Sequence, residues 1–253
     1  MGLSATSPRS AWAQAASPAS PSRGEAASTD DAPATPGRVL WAGHQCVMGR
    51  RWVPILGQLA TRTDSYVLAQ VVRQRGALVL EQRTCRMDFA PVAGARFAFD
   101  RRALPNLPVA RLTFSQGAAG LWRAAPWIVA WDAAADPEAD GQPGARIDVT
   151  APLCAGALQV ASRAVSVAQG RRLASGGLVG QIAVTVTQRI LGASGLCLRA
   201  VAHDSREQLS GFFAYAPVAA TATCAGLLAQ AWPVRAPETA DQLRRLAPGE
   251  GPR

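Results

Sequence analysis

Five cysteines are the residues with the greatest capacity for chemistry in this chain of 253 residues. They are Cys46, Cys85, Cys154, Cys197 and Cys224. In an oxidising compartment four of them form two bridges, of which the simplest are Cys46–Cys85 and a bridge from Cys154 to Cys197 or Cys224. The odd total leaves one thiol over. The alternative is five buried thiols that act as small apolar side chains.

Neither a metal site nor a nucleophilic site is indicated. No Cys-x-x-Cys pair occurs, and the only histidines are His44 and His203, so the usual ligand sets of zinc are missing. His203, Asp204 and Ser205 are consecutive, and neighbouring strand residues point to opposite faces, so they form no triad by themselves. No phosphate loop or dinucleotide fingerprint is present. We therefore expect no metal, no cofactor and a non-enzymatic protein, with a secreted hydrolase of dispersed catalytic residues as the alternative.

Three tryptophans and an arginine are the candidate ligand-binding residues. They are Trp122, Arg123, Trp127 and Trp131. If residues 127–131 form a strand, Trp127 and Trp131 point to one face. An exposed tryptophan face stacks on sugars or lines an apolar cavity, and arginine adds affinity for anions. Core packing of the tryptophans is the alternative.

The charge predicts anionic partners. The net charge is +9, and all 26 basic residues are arginine. Residues 38–131 hold 13 arginines and 4 acids, which favours anionic surfaces such as lipid headgroups or acidic polysaccharide. Nucleic acid is not expected, because the arginines are not interleaved with stacking aromatics. The predicted partner is an envelope component or a small apolar or anionic ligand, and a solvated basic surface is the alternative.

The N-terminal segment suggests export. Residues 1–37 are rich in Ala, Ser, Pro and Thr and should form a disordered tether. Within them, Ala11-Trp12-Ala13 has the small-x-small form of a signal-peptidase site, although no apolar segment precedes it. We interpret it as a signal-peptide remnant, with a chance match as the alternative. No apolar run reaches the roughly 18–20 residues of a spanning helix, so we predict no transmembrane segment and a periplasmic or extracellular location.

The elements that position these residues are predicted to be strands. Tyr66–Gln74 and Ala77–Cys85 are β-prone and are separated by Arg75-Gly76, which predicts a hairpin. In its second arm, Leu78, Leu80 and Gln82 share one face. Similar short segments recur between turn residues along the chain. This spacing predicts an all-β fold, a sandwich or a barrel.

The strands fall into two β-rich halves. These are residues 38–131 and 147–235, joined by an acidic linker at 132–146 and followed by a tail at 236–253 with a short helix. The linker resembles the start of a calcium loop, but Ile147 takes the place of the closing carboxylate. A solvated linker is therefore favoured.

The two halves invite comparison with each other. Gly57-Gln58-Leu59-Ala60 recurs as Gly180-Gln181-Ile182-Ala183, so a duplicated unit is a hypothesis. Taken together, the sequence predicts an exported, non-enzymatic β-protein that binds a ligand or an envelope component. A purely structural envelope domain is the remaining alternative.

Overall fold

A computed structural model of the protein describes residues 39–53, 57–74, 76–152 and 154–247. All of these residues belong to one compact unit. The predicted tether at residues 1–37 and the candidate signal-peptidase site lie outside the described residues. No helix among the described residues is long and apolar enough to cross a bilayer.

Strands dominate the described residues, and each strand pairing is antiparallel. The strands are β1 (Val39–Val53), β2 (Gly57–Gln74), β3 (Ala77–Phe89), β4 (Arg96–Phe99), β5 (Ala110–Gln116), β6 (Leu121–Ala124), β7 (Trp127–Trp131), β8 (Ala145–Ala151), β9 (Cys154–Arg172), β10 (Leu178–Ala193) and β11 (Ser205–Val218). The α-helices are α1 (Leu196–Val201), α2 (Cys224–Ala229) and α3 (Ala240–Leu246). The all-β prediction is confirmed.

The sheet closes on itself because its two boundary strands, β3 and β9, each have two sets of neighbours. The strands β9, β10, β11, β1, β2 and β3 follow one another as a continuous wall. The first part of β3 pairs with β5, and this path returns to β9 through β6. The second part of β3 pairs with β4, and this path returns to β9 through β8. Closure of this kind removes open strand edges and gives a barrel-like fold.

The predicted hairpin is present as β2 and β3. Gln74 lies opposite Ala77, and Gly76 has a φ of 67°, which glycine adopts without strain. Leu78, Leu80 and Gln82 are all buried. The period-2 pattern predicts that these three share a face, and the structure shows that this face is the inner one, because Leu78 and Leu80 belong to the inner cluster and Gln82 bonds to Tyr215.

The inside of the sheet is filled by large side chains. The buried cluster includes Trp41, Val67, Leu80, Leu112, Phe114, Trp127, Leu178, Phe213 and Tyr215. The Tyr215 hydroxyl in this cluster makes two hydrogen bonds. It accepts one from Gln45 Nε2 at 2.9 Å and donates one to Gln82 Oε1 at 2.5 Å. Burial raises the pKa of Tyr215 well above its ordinary value, so the phenol stays neutral and keeps both bonds.

The segment between the two predicted halves is a loop between β7 and β8. Asp136 stabilises a turn within this loop, because its carboxylate accepts the backbone N–H of Asp140 at 3.0 Å and of Gly141 at 2.8 Å. No group of potential metal ligands occurs among the described residues. Strands from either side of the loop pair directly, β1 with β11 and β4 with β8. Duplication stays a hypothesis; the two similar tetrapeptides begin at the start of β2 and within β10.

The cysteine pairing is partly as predicted. Cys154 bridges to Cys197 in α1, with 5.9 Å between the Cα atoms. The prediction of a Cys46–Cys85 bridge is wrong: Cys85 bridges to Cys224 in α2, and Cys46 is a buried free thiol. Cys46 is in register with Asp64 and thus with Asp88, three residues beyond Cys85. Three residues span about 10 Å of strand, which exceeds the reach of a disulfide.

The residues after β11, 219–247, here called the C-terminal segment, cover the outer face of β1–β3. Its contact cluster contains Leu40, Ala42, Tyr66, Leu68, Cys85 and Trp232. Trp232 Nε1 donates to the carbonyl of Gly43 at 3.2 Å. Helix α3 lies where the sequence predicts a short helix, and Thr239 caps it by accepting the N–H of Gln242.

Candidate functional site

One histidine, one acid and the free cysteine meet on the outer face of β1 and β2, under the C-terminal segment. Cys46 lies opposite Asp64, and His44 lies opposite Tyr66. His44 Nδ1 accepts the backbone N–H of Ala236 at 2.9 Å, so the ring proton is on Nε2. Nε2 lies 3.1 Å from Asp64 Oδ1, although its N–H is too poorly aligned for a good hydrogen bond. A histidine, a carboxylate and a thiol are therefore neighbours here.

The environment of this cluster does not suit nucleophilic catalysis. Cys46 is 0 % exposed and His44 3 % exposed, so no cleft leads to either group. Burial, reinforced by the negative charge of Asp64, raises the pKa of the Cys46 thiol to about 11. A reactive cysteine needs the opposite shift, because the thiolate is the nucleophile. The cluster instead fastens the C-terminal segment to β1 and β2.

The three candidate tryptophans contribute to packing. Trp127 is 6 % exposed within the inner cluster, and Trp122 packs against that cluster. Trp131 packs in a second cluster beside Phe99, and its Nε1 donates to the carbonyl of Val160 at 2.8 Å. Of the four candidate ligand-binding residues, Arg123 alone is exposed beside a groove.

A second surface is the outer face of β9, β10, β11 and β1, here called the outer wall, together with the adjoining residues of β6 and β7. The ladders place side chains of neighbouring strands opposite one another, so they form rows across the strands. The first row is Arg123, Gln169, Gln181 and Phe212, and the second row is Val167, Ala183, Ser210 and Met48. The third row is Ile128, Val165, Thr185 and Gln208, and the fourth row is Ala130, Arg163, Thr187 and Arg206. No carboxylate occurs in these rows.

One end of the outer wall carries four exposed arginines, here called the basic edge. They are Arg50, Arg163, Arg189 and Arg206. Arg163 and Arg206 flank Thr187 in one row, which separates their Cα atoms by about 10 Å. None of the four has a carboxylate within ion-pair distance in the described part of the chain. The face is therefore electropositive.

Two acids lie close in sequence to the arginines of the basic edge. Glu207 points inward, where its carboxylate lies 3.4 Å from Arg51 and accepts a hydrogen bond from Thr61. Asp204 Oδ1 accepts the backbone N–H of Ile190 at 2.8 Å. Asp204 is exposed and keeps its negative charge next to Arg189, so the four arginines and this one acid leave the basic edge with a net positive charge.

The first two rows of the outer wall, from Arg123 to Phe212 and from Val167 to Met48, border an open groove of about 570 Å³. Arg123 lies at one side, and Met48, Val167 and Phe212 supply apolar walls. Met48 is 40 % exposed, Val167 44 % and Ile128 in the next row 52 %. Apolar side chains thus share one open surface with unpaired arginines.

Sequence reasoning missed the basic edge and the apolar residues beside it. Their positions are scattered from β1 to β11, and only the strand register aligns them. The alternation of outward residues in β9 and β10 was the one available signal. No protein-family model matches the chain, and no curated protein or solved structure matches it either.

Proposed function

We propose that this protein is a non-enzymatic binding module that holds an anionic component of the cell envelope on its outer wall. The observation that carries the proposal is the basic edge, four exposed arginines without a carboxylate partner among the described residues. Arginine presents a planar fork of donors that matches phosphate and carboxylate groups. Several such groups on one rigid sheet favour a ligand with more than one negative charge.

The compartment supports an envelope ligand. The two disulfides, Cys85–Cys224 and Cys154–Cys197, are consistent with an extracytoplasmic location, because such bridges persist in oxidising compartments. We propose the periplasm or the cell exterior as that location. Acidic lipids and polysaccharides are abundant anions there, whereas nucleic acid is not.

A hydrolase is the weaker proposal. It requires a cleft that joins a histidine to an acid and a nucleophile. His44, Asp64 and Cys46 are neighbours, yet the ring and the thiol are almost fully buried. The thiol is also held in its protonated form. These observations favour binding over catalysis.

The proposal is tested by calorimetric titration with inorganic tripolyphosphate, a soluble polyanion, at low and at physiological ionic strength. We expect the double variant R163Q/R206Q to bind about thirtyfold more weakly, since two lost charge-assisted contacts of about 1 kcal/mol each remove about 2 kcal/mol of binding free energy. The matched control R83Q/R101Q removes two exposed arginines elsewhere and should bind as the unmodified protein does.

Equal losses in both double variants would show that net charge alone attracts the polyanion and would overturn the proposal. Absence of any binding would favour a purely structural domain. Thermal unfolding of each variant checks that the fold is unchanged, which we expect because all four substituted side chains are exposed.

A further inference from the structure

We infer that the occupant of the outer wall is the surface of an anionic lipid bilayer. This inference rests on the proposed function and names the ligand of the same surface. It depends on three features of the described residues: exposed aliphatic side chains among the arginines, the open form of the surface, and an exposed tryptophan and leucine at its basic end.

Three exposed aliphatic side chains lie among the polar residues and the arginines of the rows. Met48, Ile128 and Val167 are 40 %, 52 % and 44 % exposed, although they lie in strands within the sheet. A polysaccharide is recognised by aromatic stacking together with polar hydrogen-bonding groups; the rows hold glutamines and threonines, but their one aromatic ring, Phe212, is only half-exposed. Burial of each CH₂ group in lipid favours binding. Exposed aliphatic side chains beside arginines, without a fully exposed aromatic ring in the rows, therefore fit lipid better than sugar.

The surface is open. A small-molecule site surrounds its ligand and buries most of its surface. Here the rows lie on the outside of the closed sheet, and the groove along Val167 and Met48 opens to solvent. An extended partner can cover the rows in a way that a small molecule cannot. A bilayer surface is such a partner.

The basic end of the outer wall also carries interfacial side chains. β1 ends, β10 ends and β11 begins at this end of the sheet. Trp52, near the end of β1, is 58 % exposed, with its ring 6.0 Å from that of His203. Leu196 of α1, which follows β10, is 85 % exposed. Tryptophan and arginine together are typical of the headgroup region of a membrane.

Co-sedimentation with vesicles tests the inference. The vesicles contain phosphatidylcholine alone or phosphatidylcholine with about one third phosphatidylglycerol. We expect binding to the anionic vesicles only, weakened by salt. The variant I128T/V167T should bind anionic vesicles about tenfold more weakly, because both aliphatic ends become polar while the β-branched shape is kept. The matched control V109T alters a valine that is 64 % exposed elsewhere and should bind normally.

The outcomes separate the inference from the proposed function. If the protein binds tripolyphosphate through Arg163 and Arg206 but ignores anionic vesicles, the proposed function stands and the bilayer is overturned in favour of a soluble polyanion. If I128T/V167T binds vesicles as well as V109T does, the aliphatic residues do not enter lipid and the inference is wrong. If neither probe binds, both proposals fail. Unchanged tripolyphosphate binding by I128T/V167T shows that the variant is folded.

Discussion

At the scale of single residues, Asp64 links the sheet to the C-terminal segment. Arg62 donates two hydrogen bonds to the Asp64 carboxylate, at 2.8 and 3.2 Å, and also forms an ion pair with Glu238 at 2.8 Å. Burial tends to raise the pKa of Asp64. The close approach of His44 Nε2 and the hydrogen bonds and charge of Arg62 outweigh burial and hold that pKa well below its usual range. Asp64 is therefore ionised at neutral pH and well into the acidic range.

The substitution Asp64→Asn should lower the free energy of unfolding by roughly 2 kcal/mol at neutral pH, because it removes a charged acceptor that is mostly buried. The folded-state pKa is lower than the value of about 3.9 in the unfolded chain. The ionised carboxylate thus stabilises the fold above about pH 4, and this stabilisation is lost as the pH falls through the folded-state pKa. Urea denaturation at a series of pH values should show the gap between the two proteins closing below about pH 4.

Asp88 provides the matched control for Asp64. It lies opposite Asp64 and pairs with Arg86 at the same two-residue spacing, but its side chain is 38 % exposed. We expect Asp88→Asn to cost at most about 0.5 kcal/mol, since exposed ion pairs contribute little. Equal effects of the two substitutions, or an effect of Asp64→Asn that does not change with pH, would contradict the role given to Asp64.

At the scale of elements, the C-terminal segment is fixed by one long-range bridge and by packing. Cys85–Cys224 joins residues 139 apart in the sequence, whereas Cys154–Cys197 joins residues 43 apart. Loop-closure entropy predicts that the longer loop constrains the unfolded chain more, by about 1 kcal/mol. The first bridge also holds α2 against β3, beside the cluster around Trp232.

We therefore expect C85A/C224A to lose about 1 kcal/mol more unfolding free energy than C154A/C197A, measured in urea. Limited proteolysis should cut C85A/C224A first between β11 and α3, because the segment is then held by packing and by contacts such as Ala236 to His44. C154A/C197A is the control in which that segment stays protected. Identical cleavage patterns in the two variants would show that packing alone holds the segment.

The elements also show what the sequence can predict and where it fails. The β2–β3 hairpin was predictable because its turn and its alternation are local. Alternation also placed Trp127 and Trp131 on one face, but it does not say whether that face is buried. The partner of Cys85 was out of reach because α2 returns to β3 from more than half the chain away. The basic edge was missed for the same reason, since only the pairing of β1 with β11 brings Arg50 and Arg206 to the same end of the sheet.

At the scale of the whole molecule, strands from both ends of the described chain depend on each other. β1 pairs with β11 along ten residue pairs, and β9 closes both circuits of the sheet. In a fragment that ends after β7, strands β1, β4 and β6 would each lose one of their two neighbours, and β7 would lose its partner β9. Unpaired strands expose backbone hydrogen-bonding groups and the apolar inner face. The two β-rich parts should therefore fold as one cooperative unit.

The loop between β7 and β8 allows a direct test of this cooperativity. A protease site inserted after Ala139, which is exposed and has a positive φ of 56°, should permit cleavage without unfolding. We expect the cleaved chains to stay associated and to unfold in a single transition. Residues 39–131 and residues 145–247, produced separately, should each show no cooperative unfolding transition. Mixing the two fragments should restore a cooperative transition. Circular dichroism during heating measures each case. Cooperative unfolding of either part alone would instead identify it as an independent domain and would strengthen the hypothesis of a duplicated unit.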